Sequence, residues 1–300
     1  KVTLNEVNLG IALPAGLGKL EIGCAWGAKT VDVLAGRSMF DGFVTENGMK
    51  SDDMDQIMKG NHLIAEYNKA VKEELKYGCA FAAVSGQQDD ARVRFYSPHC
   101  AAASWNAKEG RIKYGFAFED NRRDESDVTW SPEHVNFYTD TDIWELDREG
   151  GTWYATRNPH DFGEPLMVAL IWDATNDKPF GQSRLKEPIR RLIQGYVRTV
   201  ANATIGLEFA TSPQKYLLGV SDEQYDALVD DKFKQYVGSI LYSTNNPETG
   251  EKPNFGQLSQ GNIEPHVQML RMLATQYSAA TGLAVTDVGV DRKSVCRERV

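Results

Sequence analysis

The chain has 300 residues, of which 41% are apolar and 25% charged, with a net charge of −9. That composition is ordinary for a folded protein and excludes a disordered tail. No window approaches the roughly 20 consecutive apolar residues of a membrane helix, and the acidic balance argues against a protein that grips nucleic acid by neutralising phosphates.

Cys24, Cys79, Cys100 and Cys296 are far apart and form no C-x-x-C pair. With no signal peptide visible, they read as reduced thiols in a cytoplasm. The sequence starts at Lys1 rather than Met, which is expected of a fragment of a longer chain.

Residues 1–50 are glycine-rich, and "TVDVLAGRSMFDGF" (Thr30–Phe43) reads as a helix ending at Gly36 followed by a strand. Residues 51–77 read as helical: Leu63, Ile64, Tyr67, Ala70, Val71 and Leu75 recur at helical spacing, and Gly78 is the expected stop. From residue 79 to 172 the period changes. "CAFAAVSG", "ARVRFYSP", "RIKYGFAFED", "EHVNFYTD", "TWYATR" and "LMVALIW" are short β-rich runs, with hairpin turns expected at "NRRDESD" and "DREGG". The polar connector "DATNDKPFGQS" (Asp173–Ser183) precedes a long helix in which Leu185, Ile189, Leu192, Tyr196, Val200, Ala203 and Leu207 recur. Pro188 is tolerable only in a first turn, so the regular helix is expected to start near Glu187 and to run about 36 Å.

Residues 209–260 are mixed. "SPQKYLLGV" (Ser212–Val220) and "GSILYS" read as strands, "SDEQYDALVDDKFKQYVG" (Ser221–Gly238) as a helix, and "TNNPETGEKPN" as an exposed turn. A second helix follows, with Asn262 as N-cap, Pro265 in the first turn and Gly282 as the terminating residue. Its main face is Ile263, Val267, Leu270, Ala274, Tyr277 and Ala280. Met269, Met272 and Leu273 fall outside that stripe, which suits a helix packed on two sides. The fold class is therefore α+β: a sheet-rich first half, then two long helices flanking a small α/β insert.

The search for chemistry returns little. "GLGKLE" (Gly16–Glu21) fails the phosphate-loop pattern at Leu13 and Leu20. His62, His99, His134, His160 and His266 lack partners at metal-ligand spacing, and neighbouring His99 and Cys100 are expected on opposite faces of a strand. "DTDIWELD" (Asp140–Asp147) lacks the glycine and terminal glutamate of a calcium loop and reads as solvated turn acids. Glu119 and Asp120 are neighbours, which gives a paired acid/base role no geometric support. There is no G-x-S-x-G elbow. Trp105, Trp130, Trp144, Trp153 and Trp172 read as packing residues of the sheet region. The rival reading is a glycan-binding or glycan-processing protein whose cleft is lined by these tryptophans with Asp140 and Asp142. No cofactor or metal is indicated.

Three segments nevertheless resemble the portal proteins of tailed bacteriophages, of the type common in phages of actinobacteria. "PFGQSRLKEPIRRLIQGYVRTVANATIGLEFATSPQKYLLGV" (Pro179–Val220) is similar to the family's G-x-S helix start, long helix and following strand, through Gly181, Ser183, Pro213, Tyr216 and Gly219. "GQLSQGNIEPHVQMLRMLATQYSAATGL" (Gly256–Leu283) resembles the turn and helix that end in S-A-x-T-G, here with Thr281 and Gly282; Ala284 stands where the family usually has proline. "EELKYGCAFAAVS" (Glu73–Ser85) resembles a helix-to-strand passage of the family.

The resemblance implies a non-enzymatic virion protein made in the host cytoplasm. Its subunits form a homo-oligomeric ring, usually a dodecamer, at a capsid vertex, through which double-stranded DNA passes without sequence specificity. It implies a terminase motor, a head-completion adaptor, and capsid and scaffold proteins as partners, and no membrane. On that reading residues 1–180 are the wing, 181–208 the first stem helix, 209–260 the clip and 261–290 the second stem helix. Arg190, Arg191, Arg198 and Arg271 are then channel or subunit-interface positions, and Lys232 and Lys234 are motor-docking positions of the clip. An acidic channel wall fits a conduit, because repulsion lowers friction on sliding DNA. "DRKSVCRERV" (Asp291–Val300) breaks sharply in composition. Its first four residues back-translate to the start of a common sequencing adapter, so it reads as a non-native tail that replaces the family's tunnel loop and crown.

Overall fold

The computed structural model describes residues 2–3, 21–44, 52–86, 91–119, 132–211, 215–218, 250, 254–257 and 262–289. The chain divides into two compact units, one formed by Ala25–Arg190 and the other by Lys1–Cys24 with Arg191–Val300.

The Ala25–Arg190 unit opens with α1 (Trp26–Arg37), α2 (Asp52–Gly60) and α3 (Leu63–Tyr77). The expected strand after Gly36 does not form. Instead Phe40 and Phe43 meet edge to face at 5.2 Å, and Phe40 packs on Tyr67 at 5.4 Å, around a bend at Gly42 with φ +120°. Two rings three residues apart fold back on each other more readily than they alternate across a pleat. Residues 52–77 form two helices, because His62 sits at φ 50° and breaks the run. The Asn61 amide fixes this break by donating to the carbonyls of Ile57 (3.0 Å) and Ala91 (2.9 Å), while its Oδ1 accepts the Val93 N–H (3.0 Å).

Two antiparallel sheets follow. β3 (Cys79–Ser85) lies between β10 (Met167–Ile171) and β4 (Arg92–Tyr96). The other sheet is a meander of β5 (Ala101–Asn106), β6 (Arg111–Phe118), β7 (His134–Tyr138), β8 (Asp142–Glu149) and β9 (Thr152–Pro159). The core lies between the sheets: Cys79, Phe81 and Ala83 meet Ala101, Ile112, Ala117, Tyr138, Ile143 and Met167. The alternate β3 residues Ala80 and Ala82 are buried on the other face, where α3 crosses. Behind them Val31 and Ala35 of α1 pack on Val71 and Leu75 of α3. The unit is thus layered helix, sheet, sheet.

Two strands escape a reading by hydrophobic runs. β5 is small and weakly β-forming, and β8 is acidic. Asp142 is therefore not a solvated turn acid: it is buried in β8, where the Arg157 guanidinium donates from Nε at 2.6 Å and from Nη2 at 3.1 Å. Asp140, by contrast, is exposed. His99 and Cys100 lie in a turn rather than a strand. At "DREGG" the chain reverses through Gly150 (φ 55°) and Gly151 (φ 87°), the two positive-φ positions of a type I′ hairpin.

The hydrogen bonds from Arg157, and a further one from Thr141, hold the Asp142 carboxyl below the usual carboxylate range. A depressed folded-state pKa contributes stability above the unfolded value near 3.9 that is lost as pH falls through the folded one. Asp142→Asn should therefore lower the melting temperature at neutral pH and flatten its further decline below about pH 4. Melts of both chains between neutral pH and pH 2 check this.

In the other unit, β1 (Val2–Thr3) pairs with β2 (Glu21–Ile22), and β11 (Lys215–Leu218) pairs with β12 (Asn254–Gln257). The two long helices are α4 (Glu187–Thr211), whose first turn belongs to the Ala25–Arg190 unit, and α5 (Glu264–Thr281). A one-turn 3₁₀ helix, Val285–Val288, follows α5. No helix among the described residues is long and apolar enough to cross a membrane. "GLGK" (Gly16–Lys19), the expected turn "NRRDESD", the helix over Ser221–Gly238, the strand "GSILYS" and the tail from Asp291 lie outside the described residues.

Candidate functional site: the long helices and the junction before them

The connector before α4 is a tightly bonded strut rather than a loose linker. α3 stops at Gly78, whose φ of 104° suits glycine. The Gly78 carbonyl accepts the Trp172 N–H (2.8 Å), and the Trp172 carbonyl accepts the Gln182 N–H (3.0 Å). The Arg184 N–H then reaches the Leu75 carbonyl in the last turn of α3 (2.8 Å). Backbone passes so close to backbone here that side chains are excluded. A Cβ on Gly181 (φ +75°) would stand 2.6 Å from the Gly78 carbonyl oxygen and closer still to that of Trp172; one on Gly78 would stand 2.8 Å from the Gln182 nitrogen.

Side chains finish the strut. Arg184 lies over the Trp172 ring at 5.8 Å. Lys186 pairs with Asp173, a non-glycine residue held at φ 55°. The Ser183 hydroxyl accepts the Leu185 N–H (3.1 Å), which turns the chain into α4 at Glu187. Gly181 is thus explained by close approach, and Ser183 by the turn its hydroxyl closes with Leu185 just before α4. Gly78, Trp172 and the Asp173–Lys186 pair were not identified as site residues from sequence. Gly78 was visible only as a helix stop, and nothing local marks it as meeting residues a hundred positions later.

α4 starts at Glu187, as Pro188 requires, and runs to Thr211. Its residues Val197 and Ala201 pack with Ile22, flanked by Cys24, Tyr196 and Val200. Burial, followed by Cys24, pushes the Tyr196 phenol above its usual range. Gly195 faces Leu273 of α5: a Cβ there would meet Leu273 Cδ2 at 3.4 Å.

α5 stops where expected, but its N-cap is Ile263, one residue after the expected Asn262, whose side chain instead bonds the first helical N–H from outside the cap. Asn262 Oδ1 accepts the Glu264 N–H (2.9 Å), Pro265 lies in the first turn, and Gly282 closes the helix at φ 70°. The buried face is rotated from the expected stripe. Leu273, Ala274, Tyr277, Ser278 and Thr281 are buried, whereas Ala280 is exposed. Leu273 therefore belongs to the packed face, because small Ser278 and Thr281 are buried through their own bonds: Ser278 donates to the Leu283 carbonyl (2.5 Å) and Thr281 to that of Tyr277 (2.7 Å). Met269 (40% exposed) and Met272 (47%) remain outside it.

Arg190, Arg191 and Arg198 are exposed on α4, and Arg271 is exposed on α5. Arg191 and Arg198, seven residues apart, share a helix face, while Arg190 Nε donates back to the Leu185 carbonyl (2.7 Å). Tyr216 lies in β11 opposite Gly256. Pro213, Gly219, Lys232 and Lys234 lie outside the described residues.

No group of three or more metal-ligating side chains occurs among the described residues. A polar cleft of about 450 Å³ between the sheets is lined by Arg92, Arg94, Glu119, His134, Asn136 and Asp147, with no tryptophan. Glu119 is committed there to Arg94 (2.5 Å) and Asn136 (2.9 Å). The tryptophans do not converge on a cleft. Trp105 packs at 5.6 Å on Phe180, Trp144 and Trp153 lie beneath Arg157 and Arg148, and Trp130 is outside the described residues. With Asp142 spent on Arg157, nothing here supports the glycan reading.

No curated protein matches the chain. Among solved structures it is similar to a chain of the neck of an empty GTA particle computed with C6 symmetry, at a TM-score of 0.51 and 11% identity, over 91% of this chain and 69% of that one. At that identity the likeness is one of fold. The sequence profile of the family described as phage portal protein, SPP1 Gp6-like, matches residues 20–171. That span takes in both sheets and the helices that cover them and is just over half of the molecule, so the chain belongs to the SPP1 Gp6-like phage portal family.

Proposed function

We propose that the chain is one subunit of a homo-oligomeric portal ring, a structural conduit for double-stranded DNA in a virion, without catalysis of its own. The family membership of residues 20–171 carries this reading. Residues 1–180 act as the wing, 181–208 and 261–290 as the stem, and 209–260 as the clip that meets the terminase motor during packaging and the head-completion adaptor afterwards. Capsid and scaffold proteins contact the wing. Two features support the stem assignment: the strut that sets the first turn of α4, and the apolar Met269 and Met272 left outside the packed face of α5. A ring closes through heterologous contacts, which need such a second apolar surface.

Electron microscopy of the full gene product tests this directly. Closed rings with a central channel are expected, and a discrete monomer under all assembly conditions would overturn the reading. Within such rings, charge reversal at Lys232 and Lys234 should reduce motor docking by about tenfold, equivalent to roughly 1.4 kcal/mol, without loss of rings. If rings fail instead, residues 209–260 are not the clip.

A further inference from the structure

The five-stranded sheet ends on β9, whose eight residues are all exposed. Natural sheets guard their edges with bulges, charges or proline. Two other strand edges here are guarded: β5 has a register shift between Ser104 and Trp105, and β4 carries Arg92 and Arg94. β9 carries a single charge, Arg157, which is already bound to Asp142 of β8, and its register with β8 is unbroken from Thr152 to Pro159, so proline enters only at the last position.

The hydrogen-bond phase of β9 is determined. His160 donates its N–H to Thr141 on the β8 side (2.8 Å), while the Asp142 carbonyl and the Arg148 N–H are used toward β7. Antiparallel bonds alternate along a strand. Thr152, Tyr154, Thr156 and Asn158 therefore turn their backbone groups to β8, and Trp153, Ala155 and Arg157 turn theirs outward. The side chains of these three share one face, and that face already uses a cross-strand code. Arg157 lies opposite Trp144 and over its ring at 5.9 Å; Arg148 lies opposite Trp153 and over its ring at 6.0 Å.

We infer that β9 is a pairing edge for a second copy of this chain, joined antiparallel about a two-fold axis at Ala155. In that register Ala155 faces its own copy, and Trp153 faces Arg157 of the partner subunit, with the reciprocal pair on the other side. All three outward residues then fall at hydrogen-bonded positions, which satisfies every outward N–H and carbonyl from Trp153 to Arg157. The Trp–Arg code of the sheet is repeated across the junction. Each small residue meets a small one and each cation an aromatic ring, and this self-complementarity selects a second copy as the occupant. The contact is isologous, whereas neighbours in a ring meet through two different surfaces. It therefore joins free subunits, or subunits of two rings, and does not rest on the portal reading.

Cysteine cross-linking of the full chain tests it. Facing residues at a hydrogen-bonded position lie about 5.5 Å apart between Cα atoms, within disulfide reach. Under mild oxidation Ala155→Cys should give a disulfide-linked dimer on non-reducing gels. Thr152→Cys, placed off the axis, should stay at the level of the unsubstituted chain. Ala155→Pro removes an outward donor without touching the β8 ladder, so it should abolish the dimer in sedimentation while leaving the melting temperature within about 2 °C, the span of a sub-kcal/mol change. Equal cross-linking at positions 152 and 155, or an undiminished dimer in an Ala155→Pro chain that melts normally, overturns the inference. Neither result bears on whether rings form.

Discussion

Gly181→Ala should unfold the strut before α4 and lower the stability of the Ala25–Arg190 unit by about 3 kcal/mol or more, as expected for a clash with main chain at a positive φ. For a body of this size each kcal/mol moves the melting temperature by roughly 2–4 °C, so a fall of about 6–12 °C is expected by calorimetry. The obstacle is main chain on both sides: the added Cβ would meet the carbonyl oxygens of Trp172 and Gly78, neither of which can rotate away. Gly78→Ala should be nearly as damaging, because its Cβ would meet the backbone of Gln182. Gly206→Ala is the internal control. It lies within α4 with nothing inside 4 Å of the added carbon, so it should be neutral or stabilise by up to about 1 kcal/mol. If Gly181→Ala melts like the parent chain, the strut is not a structural requirement, and Gly181 is explained by neither its φ nor its neighbours.

Tyr277→Ala should cost about 3–5 kcal/mol, the usual range for deleting a fully buried aromatic side chain. Tyr277 is 0% exposed on the packed face of α5, between Ala274 and Thr281. Met272→Ser on the same helix should change the stability of the isolated chain by less than about 0.5 kcal/mol, as for an exposed site, because Met272 is 47% exposed. The two variants separate folding from assembly. Denaturant melts should resolve the first, and ring yield after assembly should fall for the second if a neighbouring subunit covers Met269 and Met272. Met272→Ser rings formed at full yield would show that this second apolar face is not an interface.

Much of the architecture was legible because local physics dictated it. Pro188 permits a helix start only in its own turn, and α4 begins at Glu187. Pro265 and Gly282 bracket α5 through a first-turn proline and a left-handed terminus, with Asn262 bonding the first helical N–H from one residue before the cap. The Gly150–Gly151 reversal follows from its glycines. Elements whose stability comes from distant partners were not legible. β8 is acidic along its length and pairs as a strand between neighbours that supply partners to its acids: Arg157 of β9 binds Asp142, and His134 of β7 lies 2.5 Å from Asp147. The face of α5 was misjudged by rotation, since Ser278 and Thr281 are buried through their own hydrogen bonds rather than through apolar character. The site was legible in part: Gly181 and Ser183 stood out by motif, but the reason for Gly181 lies in Gly78 and Trp172.

The α+β class, most strand runs, the start of α4, the end of α5 and the portal likeness were readable from local pattern, because propensity, capping and turn chemistry act over a few residues. That the connector is a strut, that Asp142 is a buried partner of Arg157, and that β9 ends its sheet with all eight residues exposed came only with the closed fold. Each of those depends on which backbone segments come within hydrogen-bonding distance, and that is set by closing the chain over a hundred residues rather than by any local pattern.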